Sequence, residues 1–257
     1  MGSNVEFDSW FVCHSPNALA RLRLFCFPYA GGGPSSYCSW SRDLPSEIEI
    51  IGVQMPGLEG RPVDATVSSV PSLVQALIEV ISKEFSKPFA FFGHSLGAFI
   101  GFELGRQLRK QYQCEPVHFF ASGIRAPQIP PSNPPINHLP DSAFVQELGR
   151  RYNCIPEEIL QSPGMLEQLL PGLRASFRMY ESYRFSNGEP FNCPITVFGG
   201  LQDDTVDRAD LEAWRCQTKR TFSLHMIPGN HLFIHFEREH FLRTLSDQIK
   251  KILAELR

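Results

Sequence analysis

One stretch of the chain, FAFFGHSLGAFIG from Phe89 to Gly101, narrows what the sequence can fold into. The aromatic run that opens it is typical of a short buried strand, and the LGAFIGFELGRQLRK that ends it favours a helix. Between the two lies Ser95, flanked at a distance of two by Gly93 and Gly97. A strand that turns sharply into a helix needs glycines there, because side chains would collide with neighbouring elements. The turn would hold the hydroxyl out at the helix N-terminus, so we interpret Ser95 as a nucleophile rather than as a tolerated small residue.

Composition narrows the class of protein. The 257 residues are 42% hydrophobic and 20% charged, which suits a single globular domain over residues 1–257. The net charge of −3 argues against general nucleic-acid binding, and no apolar run reaches the roughly 18 residues of a membrane span. The N-terminus has no basic segment followed by an apolar stretch, and the seven cysteines form no C-x-x-C pair. We therefore expect a cytoplasmic protein with reduced thiols.

Six short apolar runs predict strands, and helical patterns lie between several of them. Strands that alternate with helices indicate an α/β fold, in which a mostly parallel sheet is flanked by helices on both faces. The predicted strands are Arg21–Phe27, Ile48–Val53, Phe89–Phe92, Val117–Ser122, Pro194–Gly199 and Phe222–Ile227.

The alternation is interrupted between the fourth and fifth predicted strands, over residues 123–192. This segment begins with the proline-rich IRAPQIPPSNPPINHLP and continues with DSAFVQELGRRY, PEEILQ and a longer helical stretch from Met165 to Tyr183. Pro171 and Gly172 should interrupt that last helix. We predict a helical lid insertion that covers the C-terminal edge of the sheet, where ligands bind in open α/β folds.

A serine hydroxyl is a poor nucleophile at neutral pH, so it needs a base, and the base needs an orienting group. In this topology an acid and then a histidine follow the serine, each just after a later strand. Of the eight histidines, only His231 in IPGNHLF comes just after the last predicted strand. The preceding strand leads into LQDDTVD, where we favour Asp203 as the acid over Asp204. We interpret Asp204 and Asp207 as solvated loop or helix-capping residues.

Stabilisation of an oxyanion requires two backbone N–H donors. One should be the N–H of Leu96, directly after the serine, and the other should come from the loop after an early strand. There the first predicted strand runs into PYAGGGPSSY, whose three glycines leave the backbone free to approach a ligand. We favour the N–H of Ala30 as the second donor, with that of Tyr29 as the alternative.

The combination of FPYAGGG, GHSLGA, GG-x-x-D with a following valine, and GNHLF resembles the type II thioesterases. These are stand-alone α/β-hydrolases that accompany polyketide and nonribosomal peptide synthetases, with relatives that serve fatty-acid synthases. The match runs from about Phe25 to the last helix and includes QMPGLEGR, SGIRAP and LLPGLRASFRMYESYRF. One departure is visible in the lid helix, where the usual R-A-D is replaced by Arg174, Ala175 and Ser176.

The resemblance implies an α/β-hydrolase fold and hydrolysis of acyl or aminoacyl thioesters on the phosphopantetheine arm of acyl- or peptidyl-carrier proteins. Ser95 would be the nucleophile, His231 the general base and then acid, and Asp203 the group that orients it. No metal or other cofactor is needed, and we expect a monomer that binds neither nucleic acid nor membrane. A lipase, an esterase or an acyl-CoA thioesterase with the same triad remains an alternative, as do an acyltransferase and a catalytically inactive interaction protein.

Overall fold

The centre of the molecule is a sheet made from the apolar runs of the sequence. The structure, a computed structural model, describes residues 9–81, 86–153, 155 and 157–256. Seven strands lie within these ranges, in the sheet order β1-β3-β2-β4-β5-β6-β7. They are Phe11–Val12 (β1), Leu22–Phe27 (β2), Ile48–Val53 (β3), Phe89–His94 (β4), His118–Ser122 (β5), Ile195–Gly200 (β6) and Phe222–Ile227 (β7).

The sheet is parallel apart from β1, which runs antiparallel to β3. The other six strands begin and end within two residues of the predicted bounds. Strand β1 is not apparent from the sequence, because two residues are too few to show an alternation of apolar and polar side chains. The mostly parallel α/β fold predicted above is confirmed.

Helices cover both faces of this sheet, and short 3₁₀ turns at Pro34–Tyr37, Trp40–Arg42 and Ala213–Gln217 connect some of the elements. None of the described helices is both long enough and apolar enough to cross a membrane. The helices are Val70–Ile81 (α1), Leu96–Tyr112 (α2), Asp141–Tyr152 (α3), Glu157–Leu160 (α4), Pro163–Ser182 (α5), Arg208–Glu212 (α6), Phe233–Phe236 (α7) and Arg238–Glu255 (α8).

Strand β4 shows how the two faces are built. Its alternate residues point to opposite sides, so Phe89 and Phe91 pack with α1 and α2, whereas Ala90 and Phe92 pack with α8. These four side chains are almost fully buried, and several of their ring contacts are edge to face, as between Phe27 and Phe91 at 5.0 Å. The C-terminal end of β4 is therefore held firmly at the middle of the sheet.

The segment between β5 and β6 carries α3, α4 and α5 and forms a separate hydrophobic cluster. Because its buried side chains pack mainly with each other, the segment has a small core of its own on top of the domain. The cluster consists of Ile136, Phe144, Leu148, Tyr152, Ile155, Leu170, Leu173 and Phe177.

The expectation that Pro171 and Gly172 interrupt the last helix of this segment is wrong. Helix α5 runs from Pro163 to Ser182 with Pro171 inside it. Tertiary contacts outweigh the low helix propensity, because Gly172 lies directly against the backbone of Gly57 in the loop after β3. The neighbouring Leu173 is buried in the cluster described above. This close approach joins α5 to the core of the domain at the middle of the helix.

The contact between Gly172 and Gly57 predicts a position-specific loss of stability. A methyl group at position 172 would overlap the Gly57 carbonyl, so Gly172→Ala should lower the free energy of unfolding by about 1–3 kcal/mol. Gly149→Ala in α3 is the matched control, because nothing lies within 4 Å of the added methyl group. That control should gain about 0.5–1 kcal/mol through helix propensity. Denaturant unfolding of both variants measures the difference, and equal stabilities would contradict the close approach.

Candidate active site

Ser95 occupies the sharp turn between β4 and α2. Its backbone angles are φ 52° and ψ −123°, a conformation that non-glycine residues rarely adopt. A Cβ on Gly97 would overlap the carbonyl of Phe27, and one on Gly93 would overlap the backbone at Ala98. The predicted reason for both glycines is thereby confirmed. The turn is held further by the backbone N–H of Ser95, which donates to the Ser122 carbonyl at 2.7 Å.

His231 and Asp203 lie side by side at the C-terminal edge of the sheet. The Nδ1 of His231 is 2.8 Å from Oδ2 of Asp203, and their side chains are 5% and 2% exposed. The loop after β6 carries the aspartate and the loop after β7 carries the histidine, so two parallel neighbouring strands bring them together. Asp204, the alternative acid, is exposed to solvent.

Thr205 completes the surroundings of Asp203 and is not singled out by the sequence pattern. Its hydroxyl and its backbone N–H both donate to Oδ1 of Asp203, at 2.6 and 2.9 Å. Burial works to raise the pKa of Asp203, but the charge and hydrogen bond of His231 and the two Thr205 bonds outweigh it and lower the pKa. The carboxylate is thus kept ionised against His231. The aspartate–x–threonine spacing, also seen at Asp64 and Thr66, is the signal that could have identified it.

His94 packs against His231, and the sequence pattern assigned His94 no function. Its side chain is fully buried, and its Nδ1 lies 2.9 Å from the Ser122 hydroxyl. The ring centre is 5.3 Å from that of His231. Burial, followed by repulsion from His231 and His235, holds the pKa of His94 well below its usual range. His94 is therefore a neutral packing group under the site.

Ser95 and His231 line one small cavity of about 20 Å³. The insertion contributes three aromatic side chains to it, and the loops after β2 and β7 contribute the rest of the wall. A volume of this size holds about one water molecule, so there is little free space beside Ser95 and His231. The lining residues are Tyr29, Ala30, Ser95, Tyr152, Phe177, Tyr180, His231 and Leu232.

The two backbone donors expected for an oxyanion lie next to this cavity. Leu96 is the first residue of α2, so its N–H belongs to the first-turn groups that have no partner within the helix. Ala30 lines the cavity and is followed by Gly31, whose φ of 87° allows the tight turn that the Gly32 N–H closes onto the Tyr29 carbonyl. Both predicted positions therefore adjoin Ser95.

Comparisons with known proteins identify the family. A family model described as the thioesterase domain matches residues 22–249. The gramicidin S biosynthesis protein GrsT of Aneurinibacillus migulanus is 45% identical over 249 residues, which cover 97% of this chain and 97% of GrsT. The chain belongs to the thioesterase family.

Solved structures agree with this assignment. The type II thioesterase BorB from the borrelidin biosynthetic cluster matches with a TM-score of 0.83 and 26% identity, covering 95% of this chain and 97% of BorB. ClbQ from the colibactin NRPS/PKS pathway matches with a TM-score of 0.84 and 26% identity, covering 91% of this chain and 99% of ClbQ. The α/β-hydrolase fold and the resemblance to type II thioesterases are thereby confirmed.

The family loop that reads QMPGLEGR braces the site of this thioesterase from outside. The Glu59 carboxylate accepts hydrogen bonds from the hydroxyl and backbone N–H of Ser35, just beyond the glycines of the loop after β2. Arg61 donates to the carbonyls of Gln54 and Ser9 and stacks its guanidinium on the Trp10 ring. The loop after β3 therefore supports the segment that carries Ala30.

The departure from R-A-D in α5 also has a structural explanation. Ser176 is buried, and its hydroxyl donates to the Gly172 carbonyl one turn earlier at 2.9 Å. Arg174 instead reaches outward to Asp141 and to the carbonyls of Asn137 and Leu139. In this thioesterase the serine satisfies its hydroxyl within its own helix, and the arginine ties α5 to the start of α3.

The contact between Asp203 and His231 predicts that hydrolysis depends on Asp203 and not on Asp204. Asp203→Asn would leave the His231 ring in the wrong tautomer, so hydrolysis should slow by orders of magnitude, on the order of 10⁴-fold by analogy with serine proteases. Asp204→Asn is the matched control and should stay within about tenfold of the unaltered protein. Steady-state rates on a small activated ester distinguish the two, and the reverse pattern would reassign the acid.

Proposed function

We propose that this thioesterase hydrolyses acyl or aminoacyl thioesters on the phosphopantetheine arm of acyl- or peptidyl-carrier proteins, for editing or release in peptide or polyketide synthesis. The observation that carries the proposal is the buried pair of Asp203 and His231, of which His231 lines the same cavity as Ser95 on its strained turn. Membership of the thioesterase family supports a thioester as the bond that is cleaved. The relatives GrsT, of gramicidin S biosynthesis, and ClbQ, of the colibactin NRPS/PKS pathway, support a role in such biosynthesis.

The first half of the proposed reaction transfers the acyl group to the enzyme. The hydroxyl oxygen of Ser95 attacks the thioester carbonyl carbon while its proton passes to Nε2 of His231. The N–H groups of Leu96 and Ala30 stabilise the negative charge that develops on the carbonyl oxygen. The C–S bond then breaks, and the protonated His231 returns its proton to the departing pantetheine thiolate.

The second half releases the acid. A water molecule gives a proton to His231 and attacks the ester carbonyl on Ser95, and the same two N–H groups stabilise the new oxyanion. The ester bond breaks and the serine oxygen takes the proton back. Asp203 holds Nδ1 of His231 protonated throughout, so that Nε2 remains the nitrogen that exchanges protons. The products are a free carboxylic acid and a free carrier thiol.

We further propose that residues 123–192 act as a lid on the single domain. Tyr152 at the end of α3 and Phe177 and Tyr180 on α5 form the roof over Ser95, and the cavity volume is about 20 Å³. An acyl chain of several carbons does not fit such a space without displacement of these side chains. An enzyme of this kind, acting on carrier proteins, would work in the cytoplasm as a monomer.

Replacement of Ser95 by alanine tests the nucleophile. A serine-directed fluorophosphonate should label the unaltered protein at one site, and Ser95→Ala should abolish both labelling and turnover because no oxygen remains to be acylated. Intact-protein mass spectrometry measures the label. Labelling that survives in the variant would refute the assignment of Ser95.

Substrate preference separates the proposal from a lipase, an esterase or an acyl-CoA thioesterase. We expect the same acyl group to be hydrolysed faster from a carrier protein than from coenzyme A or from a simple ester, since remote binding energy from the carrier assists the reaction. Mass spectrometry of a panel of acylated carrier proteins and assays of the matched acyl-CoA and ester give the comparison. A simple ester cleaved with the highest kcat/KM would favour the esterase alternative.

The roof of the cavity should control the length of the acyl chain. Phe177→Leu removes part of the roof, so the ratio of octanoyl to acetyl hydrolysis should rise about tenfold, a change within the range that a few methylene contacts produce. Phe144→Leu is the matched control, since Phe144 packs edge to face on Phe177 but does not line the cavity. If both variants change the ratio equally, the cavity does not hold the acyl group.

A further inference from the structure

A hydrogen bond links two loops of the site that the reaction described above treats separately. The Tyr29 hydroxyl lies 3.0 Å from Nε2 of His235. Tyr29 directly precedes Ala30 in the loop after β2, and His235 lies in α7, four residues after His231. The bond therefore connects the segment with the expected oxyanion donor to the segment with the base.

The two segments start far apart in the sheet. In the strand order, β4, β5 and β6 lie between β2 and β7, so four strand spacings of about 4.8 Å separate them by roughly 19 Å. Both loops arch toward the middle over the C-terminal ends of the intervening strands. Their relative position therefore depends on contacts that the loops make with each other above the sheet.

The rings around this bond form a continuous packed layer. The Tyr29 ring meets His235 edge to face at 5.5 Å and His94 edge to face at 5.9 Å, and the His94 ring lies 5.3 Å from His231. Tyr29 and His235 are each half-buried. Burial, with a contribution from Arg238, lowers the pKa of His235, so a neutral imidazole faces the hydroxyl at neutral pH. A neutral ring nitrogen and a phenol can form this hydrogen bond without leaving an uncompensated charge.

We propose that Tyr29 and His235 are positioning residues, whose hydrogen bond sets the distance between the Ala30 N–H and His231. This inference rests on the function proposed above, because the pair would hold the Ala30 N–H at the distance from His231 that oxyanion stabilisation and proton transfer require. A displacement of about 1 Å in such a geometry can cost about 10²-fold in rate. The pair acts through the backbone of one loop and the histidine of the other.

The test is a double-mutant cycle with kinetic readouts. Tyr29→Phe and His235→Phe each keep a ring and remove one side of the bond, so each should lower kcat on p-nitrophenyl acetate about ten- to hundredfold with KM nearly unchanged. The double variant should be no slower than either single variant, since the bond is lost only once. His235→Gln, whose amide can reach the same hydroxyl, should recover most of the rate. The backbone N–H of residue 29 is present in every variant, so the cycle does not depend on which N–H is the donor.

Controls separate positioning from general stability. Tyr183→Phe also deletes a buried tyrosine hydroxyl that bonds to Glu103 at 2.7 Å, and it should leave kcat unchanged. Melting temperatures identify any variant that is partly unfolded at the assay temperature, and the His235 variants carry the test if Tyr29→Phe does not fold. Phosphonylation of Ser95 by the fluorophosphonate should slow in parallel with kcat, because the phosphoryl oxygen enters the same donor pair.

Two results would overturn the inference. One is a wild-type kcat in Tyr29→Phe or in His235→Phe, and the other is a double variant whose loss is the product of the two single losses. Failure of the proposed function looks different, because the unaltered protein would then leave acylated carrier proteins intact. The double-mutant cycle measures kcat on p-nitrophenyl acetate, so its result on the position of the two loops holds for any natural substrate.

Discussion

The strained turn at Ser95 is the constraint on which the rest of the site depends. A serine held at positive φ costs on the order of 1–3 kcal/mol and persists only where surrounding structure leaves no alternative. Here Gly97 touches the carbonyl at the end of β2, and Gly93 touches the start of α2, so two strands and a helix meet without intervening side chains. The buried aromatic residues of β2 and β4 on both faces of the sheet offset the strain.

The same contact explains why the loop after β2 lies beside Ser95. Because the end of β2 lies against Gly97, the chain that continues through Tyr29 and Ala30 begins within a few ångströms of the elbow. Glu59 holds that loop from one side through Ser35, and His235 holds it from the other through Tyr29. Both contacts fix the backbone of this loop beside Ser95, as the role proposed for the Ala30 N–H requires, because preorganised donors stabilise developing charge without a later cost of reorganisation.

Burial sets the charges at the site. Asp203 stays ionised because His231 and Thr205 outweigh its desolvation, whereas burial lowers the pKa of both His94 and His235. The carboxylate therefore faces His231, and the neutral imidazoles of His94 and His235 lie near that ring. Above this layer, the insertion contributes three aromatic side chains to the cavity wall, and the contact of Gly172 with Gly57 keeps the middle of α5 against the core. A hinge at Pro171 would have to break that contact.

The sequence by itself determined the elements that repeat a local pattern. The glycine spacing around Ser95 and the apolar runs of six strands follow from local sterics and burial, so they could be read residue by residue. The order of strands also placed Asp203 and His231 just after two later strands, where the structure brings them within 2.8 Å of each other. Continuity of α5 through Pro171 and the link between Tyr29 and His235 were decided only by the tertiary structure. Each depends on a contact between side chains or backbones whose spacing along the chain carries no periodic signal, and, for Tyr29 and His235, 206 positions separate the partners.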